Sequence, residues 1–211
     1  MKKKRRDILS MSVNIAVLLF LGYAVLGPRG PLRMAVQGYF AERDARSAAE
    51  DALGQLATND GPPTLIEFTD FQCPYCRDMH DVLKQGVAEG KFELVTMHFP
   101  LDRIHPLARP AAKASLCAEA QASVNEMNSL LMSTSEWMDE PDWVQLARDA
   151  RIPDLAQYEK CLVAPSTEKE LERHGTIAGN IGIRATPTFV SHGGVRSGVA
   201  TLDELVELTK K

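Results

Sequence analysis

The chain has 211 residues, 45% of them hydrophobic and 25% charged, which is a globular rather than a disordered composition and enough for one sizeable domain with an appendage. Its formal net charge is −4, but residues 1–27 hold five Lys+Arg and one Asp, which leaves the remainder at −8. A body that acidic repels phosphates, so nucleic-acid binding is excluded as its main task.

The first element is "MKKKRRDILSMSVNIAVLLFLGYAVLGPRG". The basic cluster at 2–6 precedes a run without charge from 8 to 28, about the length of roughly 20 residues that a helix needs to cross a bilayer. A transmembrane helix over this run, with its basic end in the cytoplasm, puts everything after Pro28 outside. The rival reading is a cleaved signal peptide, with Gly22, Tyr23 and Ala24 as a weak small-x-small site. Either reading exports the rest of the chain to a compartment where disulfides persist.

"GPRGP" at 27–31 ends this segment, so 1–30 is read as a membrane anchor. Residues 32–57 are Ala-rich and helix-favouring, and 31–61 is expected to be a helical connector. Met34, Tyr39, Ala45, Ala48, Ala52 and Leu56 give it a broken apolar stripe, which serves either a plain spacer or a homo-oligomerisation helix. "NDGPP" at 59–63 marks the next boundary, and 62–211 is expected to be the folded domain.

That domain opens with "TLIEF" as a buried strand, a helix over 74–88 and "FELVTMHFP" (92–100) as a second strand, a pattern that predicts a parallel pair with a crossover helix. Residues 106–136 and 141–181 are helix-rich, with breaks at "STSEWMDEP" and "RIPD". "TPTFV" then reads as a strand, "HGG" as a hairpin turn and "VRSG" as the return. A closing helix follows, with Thr201 and Glu204 spaced as a capping box.

The chemistry lies in "FTDFQCPYCRDMH" at 68–80. Zinc needs four ligands, and only one C-x-x-C pair is present, so no metal is expected. A purely structural disulfide across two residues closes too small a loop to add much stability. The context favours redox chemistry. Cys73 follows a strand, and Pro74 suits the first position of a helix, where its missing N–H costs nothing. Free N–H groups and the helix dipole there stabilise a Cys73 thiolate, and Cys76, one turn on, is placed to resolve a mixed disulfide. Tyr75 lies between the cysteines and supplies no positive charge.

"EFTDFQCPYC" followed by "GIRATPTFV" resembles the thioredoxin superfamily, and within it the DsbA-like thiol–disulfide oxidoreductases. The resemblance covers residues 62–211, and "FPLDRIHPLARPAAKASLCAEAQ" is similar to the start of the helical insert of that branch, here about 103–181. It implies an α/β thioredoxin fold with an inserted helical block. It also implies a cis Pro187 beside the cysteines and a Thr186 backbone that pairs with a substrate chain, with Pro74 and Tyr75 beside that chain. Glu67, six residues before Cys73, matches a buried carboxylate that exchanges protons with Cys76; the bland alternative is a Glu that reaches the sheet edge and water.

Other side chains carry weaker signals. His80 reads as a solvent or packing residue, and His98 and His105 as structural or lining the site. Asp70 and Gln72 flank the site, and Trp137 and Trp143 belong to the helical block. Cys117 and Cys161 each read singly as a small buried residue, and together as one structural disulfide within the insert.

The expected function is therefore that of an exported, membrane-anchored thiol–disulfide oxidoreductase. It would oxidise thiols of secreted proteins in the periplasm or cell exterior, without a cofactor, and exchange electrons with a membrane redox partner or a reductase. Disulfide reduction or isomerisation is the alternative, since Tyr75 and Thr186 also resemble the exported isomerase and reductase branches. A non-catalytic thioredoxin-fold binding module is the third.

Overall fold

The computed structural model describes residues 23–25, 27, 29–57 and 61–210. Most of the run expected to cross the membrane lies outside them, and among the described residues no helix is long and apolar enough to span a bilayer. The chain divides into two compact units, Met1–Ala45 and Arg46–Lys211. The boundary falls inside the first described long helix, α1 (Pro31–Leu56). In the first unit α1 exposes Leu32, Met34, Val36 and Tyr39. In the second its final turns bury Ala49, Ala52 and Leu53.

The second unit is built on a four-stranded sheet of order β2-β1-β3-β4: β1 (Thr64–Thr69), β2 (Glu93–His98), β3 (Thr188–Ser191) and β4 (Gly194–Ser197). β1 and β2 run parallel through α2 (Pro74–Ala88), the expected crossover, and β3 lies antiparallel on the other side of β1. Every residue of β1 is buried, which explains a nearly continuous apolar run instead of an alternating one. Its two faces feed separate cores. Ile66 and Phe68 pack with Met97 and Val190 against Ala49, Ala52, Leu53, Ala178 and Ile181. Leu65 packs with Phe189 against Met79, Leu83, Phe92 and Leu205. Burying a side chain such as Phe189 stabilises the fold by roughly 2 kcal/mol. The sheet must sit close under α2: a Cβ on Gly86 would come within 2.2 Å of the Phe92 ring.

Between β2 and β3 stands the helical block: α3 (Ala108–Glu119), α4 (Val124–Ser133), a 3-10 turn (Glu136–Met138), α5 (Trp143–Asp149), α6 (Leu155–Leu162) and α7 (Pro165–Ile181). The expected breaks are present. Two more divide what the sequence reads as continuous helix, one at Ala122, which takes φ 57°, and one at Pro165, which starts α7. Cys117 and Cys161 form a disulfide inside this block, tying α3 to α6.

The hairpin turns on His192 and Gly193, with Ser191 paired to Gly194. Gly193 is required, because a Cβ there would meet the Leu208 carbonyl oxygen at 2.6 Å. β3 begins at Thr188, two residues later than the sequence suggests. Pro187 has no N–H for the ladder, although its carbonyl still accepts from Gly198 N–H at 2.8 Å. The closing helix α8 (Leu202–Leu208) carries the expected capping box between Thr201 and Glu204.

Candidate active site

Three loops emerge at one end of the sheet. β1 and β2 are parallel and β3 is antiparallel, so the C-terminal ends of β1 and β2 and the N-terminal end of β3 coincide there. The loop after β1 carries Cys73 and is central. The Thr186-Pro187 segment lies on the β3 side, and residues 99–107 lie on the β2 side.

Cys73 is the N-cap of α2 with Pro74 in the first helical position, and its own N–H donates to the Asp70 carbonyl at 3.0 Å. It is 4% exposed, Cys76 is 0% exposed, and both are free thiols. The Thr186-Pro187 peptide is cis. The Cys73 thiol donates to the Thr186 carbonyl at 3.5 Å, so the loop before β3 closes directly over this sulfur. Pro74 and Tyr75 lie exposed beside it.

The electrostatics separate the two cysteines. The Cys76 thiol against Cys73 lowers the Cys73 pKa to about 5; burial opposes this, while the Thr186 side chain and the Cys76 and Tyr75 backbones favour it. The Thr186 hydroxyl is buried beside Cys73, with no hydrogen-bond partner among the described residues. Cys76 is pushed strongly upward, first by donating to Cys73, then by burial and by the nearby Glu67 charge. The two shifts favour the thiolate on the outer sulfur and the thiol on the inner one.

Glu67 is 3% exposed on the inner strand β1, away from any sheet edge. It shares the α2-facing side of the strand with Leu65, because alternate strand residues share a face. Burial raises its pKa to about 7, with the Thr69 hydroxyl opposing and the Cys73 charge adding to the rise. Its Oε1 has no hydrogen-bond partner among the described residues.

Two residues that the sequence reading left as flanking turn out to be structural hubs. Asp70 Oδ1 accepts from Gln72 N–H at 2.8 Å, and Oδ2 accepts from Leu101 N–H and His105 Nδ1, each at 2.8 Å. The Gln72 side-chain oxygen accepts from Leu107 N–H. Arg77 was missed altogether: its guanidinium donates to the carbonyls of Leu131 and Thr134 at 2.7 and 2.9 Å, anchoring α2 to the end of α4, where Trp137 Nε1 donates to the same two carbonyls. A cation suits a helix C-terminus. His98 does not line the surface. It is buried against Phe71 and His174, and its N–H donates to His174 Nδ1 at 3.0 Å. His80 is half-buried on α2.

Comparison with known proteins agrees with this architecture. The family model described as Thioredoxin matches residues 52–211. A thioredoxin-like oxidoreductase from Silicibacter pomeroyi superposes with a TM-score of 0.64 at 26% identity, over 72% of this chain and 87% of that one. The thiol-disulfide exchange protein alpha-DsbA2 from Wolbachia pipientis gives a TM-score of 0.69 at 15% identity, over 82% and 95%, a likeness of fold. Among curated proteins, the Na(+)/H(+) antiporter NhaA 3 of Salinispora tropica is 26% identical over 69% of this chain, yet the chain spans only 22% of that relative's length. The probable disulfide bond formation protein D of Bacillus cereus is 20% identical over 92% of this chain and 91% of its own. With the cysteine pair at the head of α2, a cis proline against it and a helical block between β2 and β3, the chain belongs to the thioredoxin family and has the DsbA-like form of its fold.

Proposed function

We propose that this protein is an exported thiol–disulfide oxidoreductase that oxidises thiols of secreted polypeptides. The observation that carries the reading is the placement of Cys73 at the N-cap of α2 under the Thr186 carbonyl with Cys76 buried one turn behind it, an arrangement that lowers the Cys73 pKa and raises that of Cys76. A client thiolate attacks Cys73 Sγ of the oxidised pair, the Cys73 to Cys76 bond breaks, and its electron pair leaves on Cys76, which takes the proton that Glu67 holds. A second client thiolate then attacks the client sulfur of the mixed disulfide and expels Cys73 as a thiolate. A stabilised thiolate is a good leaving group, and stabilising the reduced form makes the pair more oxidising. Thr186 and Pro187 hold the client backbone beside the sulfur, with Pro74 and Tyr75 on the exposed lip. The resulting dithiol passes its two electrons to a membrane redox partner. The test is the equilibrium of the Cys73/Cys76 pair with glutathione: a potential near about −120 mV supports an oxidant, and one near about −270 mV overturns that direction.

The second reading is a reductase or isomerase acting as an oligomer. It is favoured by the exposed Leu32, Met34, Val36 and Tyr39 of α1, which suit self-association through residues 32–57. An insulin-reduction assay with sedimentation analysis separates it from the first. A binding module without chemistry is answered by the same glutathione titration, since it would exchange no disulfide.

The basic start and uncharged run support an anchor over 1–30, with 31–61 as connector and 62–211 as the domain outside the cytoplasmic membrane. Protease added to spheroplasts should remove the domain; full protection would defeat export. Antiport is not carried over, because this chain matches only 22% of the length of those relatives.

A further inference from the structure

We propose that Asp70 is a positioning residue that makes residues 101–107 the second wall of the client groove; this rests on the oxidoreductase reading above. The nucleophile's loop stands between two others at the end of the sheet. On the β3 side the Thr186 carbonyl reaches Cys73 Sγ. On the β2 side residues 101–107 are joined to the nucleophile's loop by side chains. One buried carboxylate, with no side-chain exposure, supplies most of the joint.

Oδ1 of Asp70 fixes the turn toward Cys73 through Gln72 N–H. Oδ2 receives both Leu101 N–H and His105 Nδ1, the two ends of a turn that also closes on itself, with His105 N–H donating to the Leu101 carbonyl at 3.0 Å. Leu107 N–H on the Gln72 side chain adds a fourth tie. The carboxylate, buried among donors from two loops, has its geometry set by both of them. The tied loop turns Ile104, 68% exposed, to solvent as an apolar contact for a chain lying across Cys73. A polypeptide client spans the gap between both walls, whereas a small dithiol touches little beyond the sulfur. Asp70 therefore acts on selectivity for polypeptides through loop placement, not on the sulfur chemistry.

The test compares kcat and KM of oxidised wild type, Asp70→Asn, His105→Ala and His105→Asn for two reductants: an unstructured peptide with two cysteines, and dithiothreitol. Asp70→Asn and His105→Ala should raise KM for the peptide more than they lower kcat. The ratio of kcat/KM for peptide over dithiothreitol should fall about fivefold. His105→Asn, whose amide N–H stands near the ring N–H it replaces, should restore most of the ratio. Equal losses on both reductants, or no loss on either, would overturn the assignment. If Asp70→Asn does not fold, the two His105 variants decide alone. Wild type inert toward both reductants would instead defeat the oxidoreductase reading itself.

Discussion

The Cys73 thiol and the Thr186 carbonyl stand 3.5 Å apart although 113 residues separate them in the chain. The contact joins the head of α2 to the loop before β3, and of the two sulfurs' residues only Cys73 keeps any exposure, 4% against 0% for Cys76. Cys73 should therefore react first. In the reduced protein, brief alkylation at about pH 6 should label Cys73 alone, because a thiol held to about 5 is already ionised there. Mass spectrometry of the labelled peptide reads the result. Preferential labelling of Cys76 would reverse the two roles.

Removing the resolving thiol should trap clients. In Cys76→Ala, the Cys73 thiolate can still attack a client disulfide, but no Cys76 thiol is present to break the resulting mixed disulfide from the enzyme side, so reductant-sensitive bands of high mass should accumulate on a non-reducing gel. Cys73→Ala should give none. Pro187→Thr should also prolong such complexes, because Pro187 adjoins the carbonyl that covers the sulfur. A Cys76→Ala gel indistinguishable from wild type would count against thiol exchange as the activity.

The order of strands, the crossover helix and the hairpin are readable in the sequence because each has a local cause. An apolar run between breakers makes β1, Pro74 after Cys73 starts α2, and Gly193 closes the hairpin. The cysteine pair was legible for the same reason. The Asp70 joint was not, since its partners Leu101 and His105 lie 31 and 35 residues away and two of its three donors are backbone N–H groups, which carry no sequence signature. The same holds for Arg77, whose acceptors are main-chain carbonyls at the end of α4. The break at Ala122 escaped because nothing in a helix-favouring alanine announces a positive φ; tertiary packing overrides its propensity.

The Cys117 to Cys161 disulfide should stabilise the helical block. It closes a loop with a sequence separation of 44, for which the chain-entropy relation gives about 4 kcal/mol. The double variant Cys117→Ala/Cys161→Ala should melt roughly 10 °C below wild type. It should keep its Cys73 reactivity, since that depends on α2 and the loop before β3. A loss of less than about 2 °C would mean that the cross-link adds little beyond packing.

Glu67 should make the protein less stable as pH rises from about 4.3 to about 7. Its folded pKa is raised to about 7 by burial, while in the unfolded chain it stands near the ordinary carboxylate value of about 4.3. Below the unfolded value both states are protonated, and Glu67 has no effect on stability. Between the two values the unfolded chain loses its proton first, and stability declines. Above about 7 both states are ionised and the penalty is complete, roughly 4 kcal/mol by linkage. His98 and His174 act in the opposite sense. Their folded pKa values are lowered to about 3 and about 4, chiefly by burial, so their contribution is lost as pH falls below the ordinary histidine value. The pH profile of wild type is thus a composite, and the difference between Glu67→Gln and wild type isolates the carboxyl. Measured by urea unfolding of the oxidised proteins, in which the two active-site thiols do not titrate, Glu67→Gln should be the more stable at pH about 8, and the gain should vanish by about pH 4.5. In its oxidised form the same variant should react with client thiols to form the mixed disulfide about tenfold more slowly, having lost the group that gives Cys76 its proton. A stability difference that stays constant across this range would mean that Glu67 ionises in the folded protein as it does in water, and would remove it from the proton path.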